Sequence, residues 1–118
     1  MMKGGCHCGN IRFEVKGEPT WLGRCHCVDC QKISGTAFMA FAGFRKQEVT
    51  FTQGTPKEYK SSKEITRTFC ADCGSPIEWR KDARPDDTNL TLGLFDDPHQ
   101  FEVKNDVWTD QKVPWAHV

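Results

Sequence analysis

The sequence predicts a mainly β domain tied together by metal knots, and three observations carry that prediction. Apolar and polar residues alternate at period two along much of the chain, whereas helical periodicity is scarce. Turn-forming stretches such as QGTP, DARPDD and DDP punctuate the alternating runs. All seven cysteines fall in three tight groups, CHC at 6–8, CHCVDC at 25–30 and CADC at 70–73.

Taken in order, the first strand follows the first cysteine group: Ile11, Phe13 and Val15 alternate with Arg12, Glu14 and Lys16. One short helical turn is expected around Asp29–Ser34. Residues 36–44, TAFMAFAGF, are nearly all apolar and suit a strand covered on both faces. Val49 and Phe51 continue the alternation before the turn at 53–56. Lys57 to Phe69 predicts a hairpin arm leading into CADC, and SPIEWRK predicts a strand after it. Leu90, Leu92 and Leu94 alternate clearly, and Phe101 and Val103 extend the pattern towards the end. No linker, repeat or low-complexity segment interrupts the 118 residues, so they read as one domain. A chain of this length buries roughly 60–70% of its unfolded surface, a modest core. A structural zinc can add on the order of 10 kcal/mol to it.

Sixteen basic residues balance sixteen acidic ones, and no Lys/Arg block stands out. That disfavours a nucleic-acid or membrane-surface binder. The opening MMKGGCHCGN lacks the apolar run of a secretory signal, and no stretch approaches the ~18 apolar residues of a membrane span. The expectation is a cytoplasmic protein, where clustered cysteines hold metal more often than they pair.

Seven sulfurs divide naturally as four plus three. Cys25, Cys27 and Cys30 are too close in sequence to ignore one another. If they share one ion, Cys6, Cys8, Cys70 and Cys73 remain as a complete all-thiolate set. Closed four-ligand sites are structural, and three-ligand sites keep a direction for water or substrate. The expectation is therefore two Zn²⁺ per chain, one structural and one open. In an extended CHC, alternate sulfurs share a side and the intervening His7 or His26 points away. Gly74 and Gly9 can supply the positive φ that a cysteine turn often needs. Spacing alone leaves a different pairing of the clusters open. Three thiolates make the second ion a soft centre suited to a further thiolate. Such a thiolate is a nucleophile towards an aldehyde carbon. Arg24 and Lys32 flank the trio and are candidates for substrate charge.

GGCHCGNIRFEV, CHCVDCQKISGTAF and FCADCGSPIEW, in this order and separation, resemble the glutathione-dependent formaldehyde-activating enzyme family, also called the centromere-protein-V family. Pro98 and Val113-Pro114-Trp115 extend the resemblance over nearly the whole chain. It implies a β-tent fold of packed antiparallel sheets with zinc knuckles. It also implies the same division of ligands: Cys6, Cys8, Cys70 and Cys73 on a structural zinc, Cys25, Cys27 and Cys30 on a second. The implied reaction is condensation of glutathione with formaldehyde, the reverse of a carbon–sulfur lyase. Asp106 departs from the pattern, since it stands before Val107-Trp108 where relatives commonly have His.

Other residues have plainer readings beside these. The trio could hold a second structural zinc completed by His26, another side chain or a partner chain, giving a non-catalytic module that binds a thiol or a protein. A redox role for Cys27-Val28-Asp29-Cys30 lacks the expected βαβ context. Ser34 and Thr36 read as turn-shaping residues. His7, His99 and His117 read as surface or satisfied polar groups. Trp21, Trp79, Trp108 and Trp115 read as core packing or as a pocket wall. Arg67 reads either as a counter-charge near Cys70 or as a solvated strand position.

Overall fold

The computed structural model describes residues 1–118 and is mainly β. A three-stranded sheet is built from β1 (Met2–Gly5), β2 (Arg12–Val15) and β5 (Val49–Gln53), in the order β1-β2-β5. A seven-stranded sheet has the order β10-β3-β4-β9-β8-β7-β6. Its strands are β3 (Trp21–Cys25), β4 (Met39–Arg45), β6 (Lys57–Ser62), β7 (Ile65–Phe69), β8 (Pro76–Lys81), β9 (Asp87–Thr91) and β10 (Asn105–Val107). Only β10 runs parallel to its neighbour, β3; the other pairings are antiparallel. The single α-helix, α1 (Val28–Ser34), follows β3. No helix is long and apolar enough to cross a membrane.

Alternation explains the core. Phe13 and Val15 on β2 are fully buried, as are Ala42 and Phe44 on β4 and Leu90 on β9. Phe95 binds the layers through edge-on contacts with Phe13 at 5.3 Å and Phe101 at 4.9 Å between ring centroids. Glu78 is buried beside this core, and its carboxylate accepts hydrogen bonds from the Thr68 and Thr88 hydroxyls at 3.1 and 2.8 Å. The two partners satisfy a group that would otherwise be costly to bury.

Period two puts the opposite set of side chains on the other face of the large sheet. Register aligns Arg67 with Trp79, Trp79 with Asn89, Asn89 with Gly43 and Gly43 with Trp21. This cross-strand row is the floor on which the second cysteine cluster sits.

The expected strands at 11–15, 49–51, 57–69 and 75–81 are present; of TAFMAFAGF only residues 39–44 enter β4, buried along most of its length, while residues 36–38 belong to the turn after α1. The helical turn is one residue longer at its start than expected. Two expectations at the C-terminal side need correction. The Leu90–Leu94 alternation does not stay extended: β9 stops at Thr91 and Leu92–Leu94 forms a 3₁₀ turn. The turn still buries Leu92, because a 3₁₀ turn can aim an apolar residue inward where a strand would leave the core. Phe101 and Val103 lie in irregular chain, although both pack on the core. Strands β1, β3 and β10 carry weak alternation (MKGG, WLGRC, NDV) and were not legible as strands.

Candidate metal centres

Two loops of equal length carry the first cluster. Residues 6–11 join β1 to β2, and residues 70–75 join β7 to β8. The loops share a build: the Cys6 N–H donates to the Ile11 carbonyl at 3.0 Å, and the Cys70 N–H donates to the Ser75 carbonyl at 2.9 Å. Each turns through a glycine in the left-handed region, Gly9 at φ 83° and Gly74 at φ 82°. Those N–H groups close the turns on the carbonyls of Cys6 and Cys70, at 3.1 and 2.8 Å. A side chain at either position would strain the turn. Neither Cys6 nor Cys8 is in a strand; a turn, rather than a bent strand, brings their sulfurs to 3.6 Å.

The second loop completes the set, with Cys8 Sγ and Cys70 Sγ 3.7 Å apart. All four sulfurs lie within 4.8 Å of one another. A tetrahedral ion with metal–sulfur bonds near 2.3 Å needs sulfurs about 3.8 Å apart, so the set fits. Hydrogen bonds lock the loops together: the His7 N–H donates to Ser75 Oγ at 3.1 Å, and Asn10 Nδ2 donates to Asp72 at 3.0 Å. The Ser75 hydroxyl and backbone bring the metal-free Cys73 thiol down to about 5, which favours the ligand form. One loop belongs to each sheet, so this cluster joins the two layers.

Cys25, Cys27 and Cys30 form the second cluster, also with sulfurs within 4.8 Å. Cys25 ends β3, Cys27 is the N-cap of α1 and Cys30 lies in its first turn. The Cys27 sulfur accepts from the Cys30 N–H at 3.3 Å, a capping contact that fixes both side chains. No fourth His, Cys, Asp or Glu joins the set.

The C-terminal segment clasps this loop. Gln31 donates to the His26 and Gln111 carbonyls at 2.8 and 2.9 Å, and Gln111 accepts from the Val28 N–H at 2.8 Å. Parallel pairing sets Asp106 opposite Arg24. Arg24 makes a two-point contact with the Asp106 carboxylate at 2.8 and 3.0 Å. The same carboxylate meets His26 Nε2 at 2.7 Å. Hydrogen bonds from Arg24 and then His26 hold the Asp106 carboxyl well below its ordinary range. An ionised carboxylate only accepts, so Nε2 carries the ring proton. His26 is fully buried and turned away from the sulfurs, as expected of the middle residue of CHC, and no side chain partners its Nδ1.

Arg67 approaches from β7. It is 6% exposed, and its Nη2 donates to Cys30 Sγ at 3.5 Å. Two of the sequence readings of Arg67 therefore change: it is not solvated, and the sulfur beside it is Cys30 rather than Cys70. In the metal-free chain a hydrogen bond from Cys25, and next the Arg67 guanidinium, bring Cys30 down to about 6 against the effect of burial. Cys25 is pushed up, first by its bond to Cys30 and then by burial.

All three sulfurs border a cleft of about 450 Å³. Its walls include Trp21, Phe41, Ile65, Trp79 and Trp108, with Arg67, Lys81 and Asp29 as charged groups. The tryptophan expectation divides: three line this cleft, and Trp115 is exposed elsewhere. Arg24 is committed to Asp106, and Lys32 is exposed and outside the cleft wall, so neither expected charge faces the site. Ser34 accepts from the Thr36 N–H at 3.2 Å and shapes the turn after α1. His7, His99 and His117 are exposed and join neither cluster. Asp106 could not be assigned a partner from sequence, because β3–β10 pairing joins residues 82 positions apart.

A family model described as glutathione-dependent formaldehyde-activating enzyme matches residues 1–111. The chain is 33% identical over 75 residues to an uncharacterised lyase of Schizosaccharomyces pombe, covering 64% of this chain and 54% of that protein. It is 29% identical over 92 residues to a Halomonas elongata protein provisionally named a glutathione-dependent formaldehyde-activating enzyme, covering 71% of this chain and 58% of that one. The chain thus spans just over half the length of these curated relatives. A crystal structure of a Rhodobacter sphaeroides protein shares the fold, with a TM-score of 0.70, 21% identity and coverage of 86% of this chain and 97% of that one. The family match takes in both cysteine clusters and the segment that clasps the second, and the chain belongs to the glutathione-dependent formaldehyde-activating enzyme family.

Proposed function

We propose that residues 1–118 act as a single zinc-binding domain with carbon–sulfur lyase-type activity. It would join a small thiol, glutathione or an analogue, to an aldehyde such as formaldehyde, as an S-(hydroxymethyl)glutathione synthase does. One observation carries the reading: three clustered sulfurs with no fourth protein ligand border a cleft of about 450 Å³. The family match and the relatives' names support it.

Cys6, Cys8, Cys70 and Cys73 would hold a structural zinc, and Cys25, Cys27 and Cys30 a second one. Zinc at the trio would supply a free coordination direction that favours the deprotonated form of an added thiol. The chain's own residues do the rest. Arg67 offsets the thiolate charge and fixes Cys30. Arg24 and Asp106 hold His26, and with it the spacing of Cys25 and Cys27. Trp21, Phe41 and Trp79 border the sulfurs on one side and Arg67 on another, so a bound thiolate would meet both apolar surface and a positive charge. In the forward direction a sulfur lone pair forms the C–S bond and the carbonyl π pair moves to oxygen. That oxygen takes up the proton the thiol gave up. Free thiols in this number suit a reducing compartment such as the cytoplasm.

NMR exchange spectroscopy of glutathione and formaldehyde tests the reaction directly. Acceleration of S-hydroxymethylglutathione formation by the zinc-loaded chain, lost in Cys27→Ser, is the expected result. No acceleration at matched protein concentration would remove this substrate pair and leave the trio as a binding module.

A further inference from the structure

We propose that Arg67 is a catalytic residue of the thiol–aldehyde reaction: its guanidinium donates to the aldehyde oxygen as that oxygen becomes an alkoxide. This deepens the reading above and rests on it.

A buried guanidinium without a carboxylate is the first observation. Arg12, Arg24, Arg80 and Arg84 each meet an acidic side chain, at Asp96, Asp106, Glu58 and Asp87. Arg67 is far more buried than these and meets none. Glu78 on the adjoining strand is already engaged by the Thr68 and Thr88 hydroxyls. Arginine carries five N–H donors. In Arg67 one reaches Met39 Sδ at 3.7 Å and one reaches Cys30 Sγ at 3.5 Å. The rest have no acceptor in the chain, Nε among them. A cation left this short of partners is a cost that packing alone does not offset.

Its place is the second observation. Arg67 is the one side chain outside the trio that donates to a trio sulfur, and it lines the cleft that all three sulfurs border. In the forward reaction negative charge moves from the thiol sulfur to an oxygen two bonds away. A sulfur that joins the trio carries that oxygen towards whatever already touches Cys30. Other polar groups of the cleft are less well placed. The Asn89 amide donates to the Trp79 carbonyl at 3.2 Å. Lys81 is exposed and pairs with Ile65, two residues along β7 from Arg67.

Cys30, Met39 and Phe41 beside the guanidinium are buried and form one cluster. A charge in such surroundings acts more strongly than it would in water, and a donor already fixed there needs no reorganisation during the reaction. The step balances without a proton from Arg67. The sulfur lone pair makes the C–S bond and the carbonyl π pair goes to oxygen. The guanidinium keeps its protons throughout and holds the alkoxide by hydrogen bonds. The proton that the thiol released to solvent then returns from solvent to that oxygen.

Thiol binding to the zinc-loaded chain separates this role from a plain counter-charge for the sulfurs. Mercaptoacetate and 2-mercaptoethanol share a skeleton, and their oxygen ends differ in charge: one is an anion, the other neutral. Both carry oxygen one bond further from sulfur than the alkoxide does. Affinities are read by NMR titration for wild type, Arg67→Met and Arg67→Lys, with zinc content checked in each. The expected result is that Arg67→Met weakens mercaptoacetate about tenfold more than 2-mercaptoethanol, the loss of one charge-assisted hydrogen bond. Arg67→Lys, which keeps the charge but not the planar fork, restores only part of that difference. In the glutathione–formaldehyde exchange assay, Arg67→Met lowers kcat by about 100-fold or more and leaves KM for glutathione nearly unchanged. Equal weakening of the two thiols, or an unchanged kcat, overturns the proposal, while 2-mercaptoethanol binding preserves the thiol reading. If neither thiol binds the wild type, the thiol reading falls and this inference falls with it.

Discussion

The two cysteine clusters gather the same sulfur chemistry in opposite architectural settings. The four-cysteine set joins hairpin loops from two different sheets, with Cys8 and Cys70 62 residues apart in sequence and their sulfurs 3.7 Å apart. The three-cysteine set lies within one strand end and one helix turn, is met at Cys30 by Arg67 of β7, and borders a cleft. Closing a long loop restrains the unfolded chain more than closing a short one, by about 0.6 kcal/mol for each doubling of loop length. The contrast teaches that long-range ligands build a fold, whereas local ligands leave an ion free to do something else.

Ligand removal breaks this comparison most severely. The proposed zinc at the four-cysteine set would contribute on the order of 10 kcal/mol, comparable with the whole stability of a small domain, and Cys70→Ser would remove it. We expect loss of the cooperative thermal transition and of near-UV circular dichroism. Cys27→Ser leaves the sheet joint intact, so the far-UV spectrum should persist while one of the two proposed zinc equivalents is lost by elemental analysis. Equal unfolding by both variants would make the trio structural and erase the distinction.

Support around the second cluster gives the next effect. Asp106→Ala leaves buried His26 without its acceptor, at a cost of about 1–3 kcal/mol. His26 lies between Cys25 and Cys27, so loosening it should weaken zinc at the proposed second site in a competition assay and leave the first unchanged. The pH dependence follows from the same contact. Folding lowers the Asp106 carboxyl below its ordinary value of 3.8. The unfolded chain therefore takes up this proton first as the solution is acidified. Its stabilising contribution is complete above that ordinary value and fades as pH falls towards the lower folded value. Metal-free wild type should lose more stability than Asp106→Asn between pH 5 and 2.5, read by urea unfolding, these limits bracketing the usual carboxylate range of about 4.

Arg67→Met gives a smaller and more local change. Without the guanidinium, Cys30 in the metal-free chain should titrate above its present value of about 6, towards the ordinary 9.0. Selective ¹³Cβ labelling of cysteine reads that shift. An unmoved Cys30 would mean that Cys25 alone sustains the thiolate. The smallest effect belongs to Arg12→Ala, which removes the exposed pair with Asp96 near the first loop. Surface pairs contribute about 0–1 kcal/mol, so its midpoint in urea should barely move.

Much of this organisation was legible in the sequence, for reasons specific to each part. Clusters with short internal spacing must act locally, which is why Cys25, Cys27 and Cys30 could be grouped before any fold was known. Strands with one buried face announce themselves through alternation, as β2 does. What stayed hidden depends on register between distant strands. Arg67 reaches Cys30 only because β7 pairs with β8 and that sheet continues to β4 and β3. Asp106 reaches Arg24 and His26 only because β10 adds in parallel beside β3. Short strands rich in glycine or charge, such as MKGG and NDV, carry no periodic signal of their own. Arg24 illustrates the same limit from the other side: its charge was evident, its commitment to Asp106 was not.

The central claim is that the two clusters differ in one free coordination direction. Cadmium, a soft ion that accepts thiolate sets, allows each site to be watched separately. ¹¹³Cd NMR of the fully loaded chain should show two resonances, and addition of 2-mercaptoethanol should move only the one that is absent from Cys27→Ser. Two resonances that both ignore the thiol, or one shared environment for both ions, would contradict the account.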